Sequence, residues 1–130
     1  MTCHLLDTNT VSYIFRGQGN AAHHLARCRV GTVFVSAVTE AELRYGLARH
    51  PSHRLETAVH EFLLRVEVLP WTSDVAQIYG TLRARLETQG VGIALHDLQI
   101  AAHALQQEMV LVSHDAVFTR IRGLKVDDWW

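Results

Sequence analysis

Four acidic residues stand where carboxylates can do chemistry: Asp7 in HLLDTNT, Glu42 in TEAELRYG, Asp97 in ALHDLQIA and Asp115 in VLVSHD. Asp7 and Asp115 directly follow the short runs His4-Leu5-Leu6 and Val110-Leu111-Val112, which read as buried parallel strands. In an open parallel α/β sheet, ligands collect at the carboxyl ends of the strands, so these two acids point to one place. Glu42 and Asp97 lie near the starts of expected helices, which such a sheet brings to the same edge. Carboxylates gathered without matching lysines repel one another unless a hard cation neutralises them, and the natural ion is Mg²⁺, with Mn²⁺ as the alternative. The chemistry implied is hydrolysis of a phosphodiester by metal-activated water. Asn9, two residues after Asp7, and Ser113, two before Asp115, are the supporting polar groups: each is placed to orient a carboxylate or a water.

Every one of these residues also has a purely structural reading. Asp7 and Asp115 suit the N-caps of the helices that follow them. Glu42 fits the reach-back position of a Thr39-x-x-Glu42 capping box, and Asp97 complements the N-terminal end of a helix dipole. Asn9 serves equally as a helix-start residue, and Ser113 as a strand-end hydroxyl. What unites the four acids is that all of them map to the carboxyl edge of one sheet.

Other residue types carry weaker signals. His50-Pro-Ser-His53 and the pair His96 and His103 have ligand-like spacing, but no cysteine stands near them at zinc-finger distance. Trp71, Trp129 and Trp130 suit either base stacking or the sealing of core edges. Arg44, Arg83 and Arg85 suit either phosphate contacts or solvent-facing ion pairs. Eleven of the twelve cationic side chains are Arg, which forks around phosphate; a GC-rich genome yields the same bias.

The elements that must position these residues alternate between strand and helix. Cys3–Leu6, Thr32–Ser36, Val66–Leu69, Val110–Ser113 and Leu124–Val126 read as strands. Helices are expected over Val11–Phe15, Ala21–Arg27 with Asn20 as its cap, from the Thr39 capping box through Leu47, and from Ser52 through Leu63. The longest spans about Asp74–Gln89 and ends at Gly90; another covers His96–Gln107, and a short one Ala116–Arg120. Such alternation specifies a three-layer α/β/α sandwich on a mainly parallel sheet. With 130 residues and neither linker nor repeat, one domain covering 1–130 is expected.

No apolar run approaches the roughly 20 residues of a membrane span, and an acid interrupts the N-terminus where a signal peptide would stay apolar, so a cytoplasmic location is expected. Two cysteines, Cys3 and Cys28, make no disulfide framework and suit a reducing compartment. A net charge of −1 supplies no global basic field for nucleic acid, so any RNA contact must be local.

Four blocks, HLLDTNT, SAVTEAELRYG, HDLQIAAHA and LVSHDAVFTRIRGLKVDDW, follow one another over nearly the whole chain. In order and approximate spacing they resemble the PIN-domain ribonuclease toxins of the VapC type. The resemblance implies a Mg²⁺- or Mn²⁺-dependent endoribonuclease that cuts structured RNA such as tRNA or rRNA and stops translation. It matches Asp7, Glu42 and Asp97 to the family's three recurring acids and Asp115 to a fourth, more variable one. It likewise matches Asn9 and Ser113 to the family's supporting polar positions. A VapB-type antitoxin that blocks the acidic pocket and a homodimeric toxin are implied too. Two departures are local: His114 stands where the family often has Asn, and His96 where an aromatic residue is frequent. A different reading is a non-catalytic RNA- or protein-binding module of the same fold, its acids serving as caps. A receiver-type phosphoacceptor domain fits poorly, since the only lysine, Lys125, falls too near the end.

Overall fold

Alternate residues of the strands serve two different cores, and this decides the layering. The computed structural model describes all 130 residues. Its strands are β1 (His4–Leu6), β2 (Val33–Ser36), β3 (Glu67–Leu69), β4 (Val110–Val112) and β5 (Val126–Asp127). Leu5, Phe34 and Leu111 face a core with Val75, Leu82, Leu86, Ile100 and Phe118. Their chain neighbours Leu6, Val33, Val35 and Val112 face the other side, with Val11, Leu25, Phe62 and Trp129. That period-two split, with apolar residues on both faces, is what a fully covered parallel sheet requires. Six helices supply the cover: α1 (Thr8–Arg16), α2 (Ala21–Arg27), α3 (Ala37–Arg49), α4 (His53–Arg65), α5 (Ser73–Thr88) and α6 (Leu95–Gln107). None of them is long and apolar enough to cross a membrane.

The five strands run in the order β3-β2-β1-β4-β5, all parallel. Chain connections leave β1 toward β2 and leave β4 toward β5, in opposite directions across the sheet. The boundary between β1 and β4 is therefore the topological switch point, where open α/β sheets form their ligand crevice. Register fixes it further: Leu6 lies beside Val112, so the residues after both strands emerge together.

Helix starts follow local chemistry. Asp7 caps α1, Ser52 caps α4 and Thr72 caps α5, each by accepting a backbone N–H two or three residues ahead. Gly17, at φ 64°, ends α1 in the left-handed conformation that glycine adopts without steric cost. Three local expectations are corrected. Helix α3 starts at Ala37 under a Ser36 cap, not at a Thr39 capping box. Thr39 is buried inside the first turn, where its hydroxyl turns to Thr8 instead. Asn20 occupies an N-cap position without capping, because its side-chain amide donates to the Trp130 carbonyl at 2.9 Å. The last strand lies at Val126–Asp127, two residues later than the hydropathy suggested.

His103 ties α6 to the end of β2. Its Nδ1 is hydrogen-bonded to Ser36 Oγ at 2.8 Å, and its ring meets Trp71 edge-on at 5.7 Å. The ring is fully buried and its Nε2 has no partner, so a proton added there would find no acceptor. Burial pushes the His103 pKa down, and burial likewise lowers that of His4, against the raising influence of Asp127. Groups depressed in this way take up protons in the unfolded chain first. Their contribution to stability is therefore constant above about pH 6.5 and falls as the pH drops below it, by at most about 1.4 kcal/mol per pH unit for His103. Urea midpoints measured at pH 7.5 and 5.5 test this: the lower pH must give the lower midpoint, and a His103→Asn variant must show a smaller difference. Equal midpoints would mean that neither histidine is held neutral.

Candidate active site

Two strand ends and two helix starts converge at the switch point. Asp7 leaves β1 almost fully buried, and its backbone N–H donates to the Val112 carbonyl at 3.1 Å. Its Oδ1 accepts the Thr10 N–H at 2.7 Å, while the Thr10 hydroxyl returns to the same Val112 carbonyl. Asp7 is thus an N-cap in fact, with only one carboxylate oxygen committed to that role. On the neighbouring strand the buried Ser113 Oγ accepts the Asp115 N–H at 3.0 Å, and Asp115 Oδ1 accepts the Val117 N–H at 2.9 Å. Asp115 therefore caps the 3₁₀ helix Ala116–Arg120, again through one oxygen.

Asp97 sits in the first turn of α6, part-buried beside these two acids. Burial pushes its carboxyl above the usual range; the adjacent His96 works against this, and the carboxylates of Asp7 and Asp115 push it further up. Three of the four predicted acids thus share one electrostatic neighbourhood. Glu42 approaches from α3. It lies exposed in the second turn of α3 and lines a cleft of about 560 Å³ with Thr8, Ser12, Arg16 and Arg54. Asn9 is exposed in the first turn of α1. No three acid, histidine or cysteine side chains converge closely enough to enclose an ion.

A hydroxyl clasp holds the helix starts in register. Thr8 Oγ1 is hydrogen-bonded to His96 Nε2 at 2.8 Å and lies 3.3 Å from Thr39 Oγ1, so one side chain joins α1, α3 and α6. The sequence pattern assigned Thr39 only a capping role and Thr8 none, although Thr8 stands inside the Asp-Thr-Asn string. His114, the other unusual residue, bonds Asp128 Oδ2 at 2.8 Å rather than any of the four acids. Arg44 and Arg83 are taken by Glu40 and Glu87 one turn away on their own helices, which makes them surface ion pairs. Trp71 is half-buried against the core and Trp129 is buried within it, whereas Trp130 is 45% exposed.

A parallel sheet with acids gathered at its switch point defines an α/β domain built to handle a polar ligand at that edge. Residues 4–124 match the PIN domain family. Ribonuclease VapC2 of Haemophilus influenzae is 31% identical over 132 residues, covering 99% of both chains. The tRNA(fMet)-specific endonuclease VapC of Salmonella typhimurium is 30% identical over 127 residues, covering 96% of each. Among solved structures, VapBC2 from Rickettsia felis, bound to a DNA fragment from its promoter, superposes with a TM-score of 0.92 at 28% identity, over 99% of this chain and 100% of that one. The chain belongs to the PIN-domain family, as one of the VapC ribonuclease toxins of toxin–antitoxin systems.

Proposed function

We propose that the chain is a metal-dependent endoribonuclease toxin that cuts structured RNA, such as tRNA or rRNA, at the acidic edge. The observation that carries this reading is the placement of Asp7 and Asp115 just after the adjacent strands β1 and β4, with Asp97 of α6 near enough that both add to the push on its carboxyl. Hard oxygen donors, and an Asp97 carboxyl raised by burial and then further by like charges, fit Mg²⁺ or Mn²⁺, and Mg²⁺ needs only one or two direct carboxylates because it keeps several waters. Asp7, Asp97 and Asp115 would hold the hydrated ion, one or two of them directly and the rest through its waters, and Glu42 of α3 would add a fourth carboxylate to that shell. A bound ion there supplies charge neutralisation for the phosphate and acidifies its water. The residues then divide the remaining work. Asp7 and Asp115 each keep one oxygen free beyond their caps, Ser113 orients Asp115, and the Thr8 clasp keeps Asp97 facing the two strand ends. Asn9, exposed two residues after Asp7 in the first turn of α1, is placed to orient substrate or water.

Inhibition follows from the same charge. An Arg or Lys side chain from an antitoxin replaces the cation among the carboxylates. The likeness to VapBC2 of Rickettsia felis supports a cognate antitoxin, and a homodimer of the toxin within that complex is part of the proposal. The tRNA(fMet)-specific relative makes tRNA the first substrate to try. The test is cleavage of total tRNA by the purified chain in Mg²⁺ against EDTA. Activity is expected with Mg²⁺ or Mn²⁺, lost in EDTA and restored by excess metal. Cleavage that persists in EDTA removes the ion from the reaction, and RNA binding without cleavage in any metal favours the non-catalytic module.

A further inference from the structure

Trp130 is a large aromatic residue left 45% exposed, yet its position is fixed on every side. Its carbonyl accepts the Asn20 N–H at 3.1 Å and the Asn20 side-chain amide at 2.9 Å. Its own N–H donates to Asp128 Oδ1 at 2.9 Å. The indole rests on Gly19, where an added Cβ would lie only 2.9 Å from Cδ2, so no larger residue fits beneath it. His114 stacks on the indole at 4.8 Å with an interplanar angle of 17°, and Tyr13 meets Trp130 edge-on at 4.7 Å and His114 at 6.2 Å. Asp128 Oδ2 pins the His114 ring while 44% of that side chain stays exposed.

The location of this shelf is as informative as its order. His114 lies between Ser113 and Asp115 in the chain, and Tyr13 projects from α1, the helix that Asp7 caps. The same strand end and helix thus position two acids and two of the three rings. A surface tryptophan that merely sealed the core would be covered, as its neighbour Trp129 is. We propose that Trp130, His114 and Tyr13 form a nucleobase-stacking subsite that takes an unpaired base of the RNA next to the phosphodiester at the acidic edge. With Gly19 beneath the indole and His114 stacked above it, the face left for a base is the outer face of the half-exposed His114 ring, which Trp130 and Tyr13 back and hold in a fixed orientation, and that removes part of the ordering cost of binding. Stacking also requires a base that is out of a duplex, so the subsite selects single-stranded loops by shape rather than by sequence. This inference rests on the ribonuclease reading above.

The test uses the full chain in the Asp7→Asn background, with Mg²⁺, so that binding is read without cleavage. The probe is a short single-stranded RNA, its affinity compared with that of the same RNA in a duplex. Adding Trp130→Ala is expected to weaken single-strand binding about ten- to hundredfold and leave duplex binding unchanged. Trp130→Phe should retain most of the affinity. An RNA with an abasic site at the contacted nucleotide should bind both proteins alike. Thermal melts establish that each variant is folded. Equal single-strand affinity with and without Trp130, an equal loss for duplex, or no RNA binding by the protein with Trp130 intact overturns the subsite. Normal cleavage by the unmutated chain alongside Trp130-independent binding fails the subsite alone. Trp130-dependent binding with no cleavage in any metal fails the nuclease reading and leaves the subsite standing.

Discussion

Asp7→Asn is expected to abolish RNA cleavage, by at least ~10³-fold, while melting within about 2 °C of the unmutated chain; Asp7→Ala should lose both cleavage and stability. The two substitutions separate roles that one carboxylate combines. Asparagine keeps an oxygen for the Thr10 N–H, and Asn and Asp cap helices about equally well. It removes the charge that, with Asp97 and Asp115, would hold the ion. Losing a few kcal/mol of charge stabilisation at a factor of ten per 1.4 kcal/mol gives the magnitude. Alanine also forfeits the cap, at about 1 kcal/mol, which is roughly 3–5 °C for a chain of this length. Cleavage assays in saturating Mg²⁺ and melts by circular dichroism read the two effects. An Asn variant that cuts at the original rate takes Asp7 out of the chemistry, and one that melts as low as the Ala variant makes its charge structural.

Trp129→Ala is the other substitution with a large expected effect, a loss of about 3–5 kcal/mol of folding stability. Trp129 is only 3% exposed, stacked on His24 at 5.4 Å and tilted against His4 at 5.3 Å. Its Nε1–H donates to Asp127 Oδ2 at 3.2 Å, so truncation removes a hydrogen bond as well as packing. A domain held by roughly 5–15 kcal/mol loses a large part of its margin in this way. Trp130→Ala, on the surface next door, should cost far less. Urea denaturation of the two variants reads the contrast directly. Comparable losses would mean that the two rings share one packing role.

The sheet and three of the acids were legible in the sequence for a simple reason. A short apolar run followed by Asp is a strand end with a charge that cannot be buried unaided, and Asp7 and Asp115 both have that form. Helices with clear caps, such as α4 after Ser52, were equally readable. What stayed hidden depended on distant partners. Thr8 meets Thr39 and His96, which are 31 and 88 residues away, and no local pattern encodes such pairings. The Thr39 capping box was plausible by local rules but lost to Ser36, whose burial beside His103 at the end of β2 starts the helix earlier. Trp129 and Trp130 looked alike in sequence; consecutive positions after a strand sent one ring inward and the other to the surface.

The position of β1 at the middle of the sheet also sets a timetable. Its partner on one side is β4, and the Asp7 N–H closes onto Val112, more than a hundred residues later in the chain. During synthesis the first acid leaves the ribosome almost at once, whereas the strand that completes its surroundings emerges among the last. Such a domain folds as a unit once its chain is available. A growing chain therefore carries no assembled acidic edge until β4 has emerged and paired with β1.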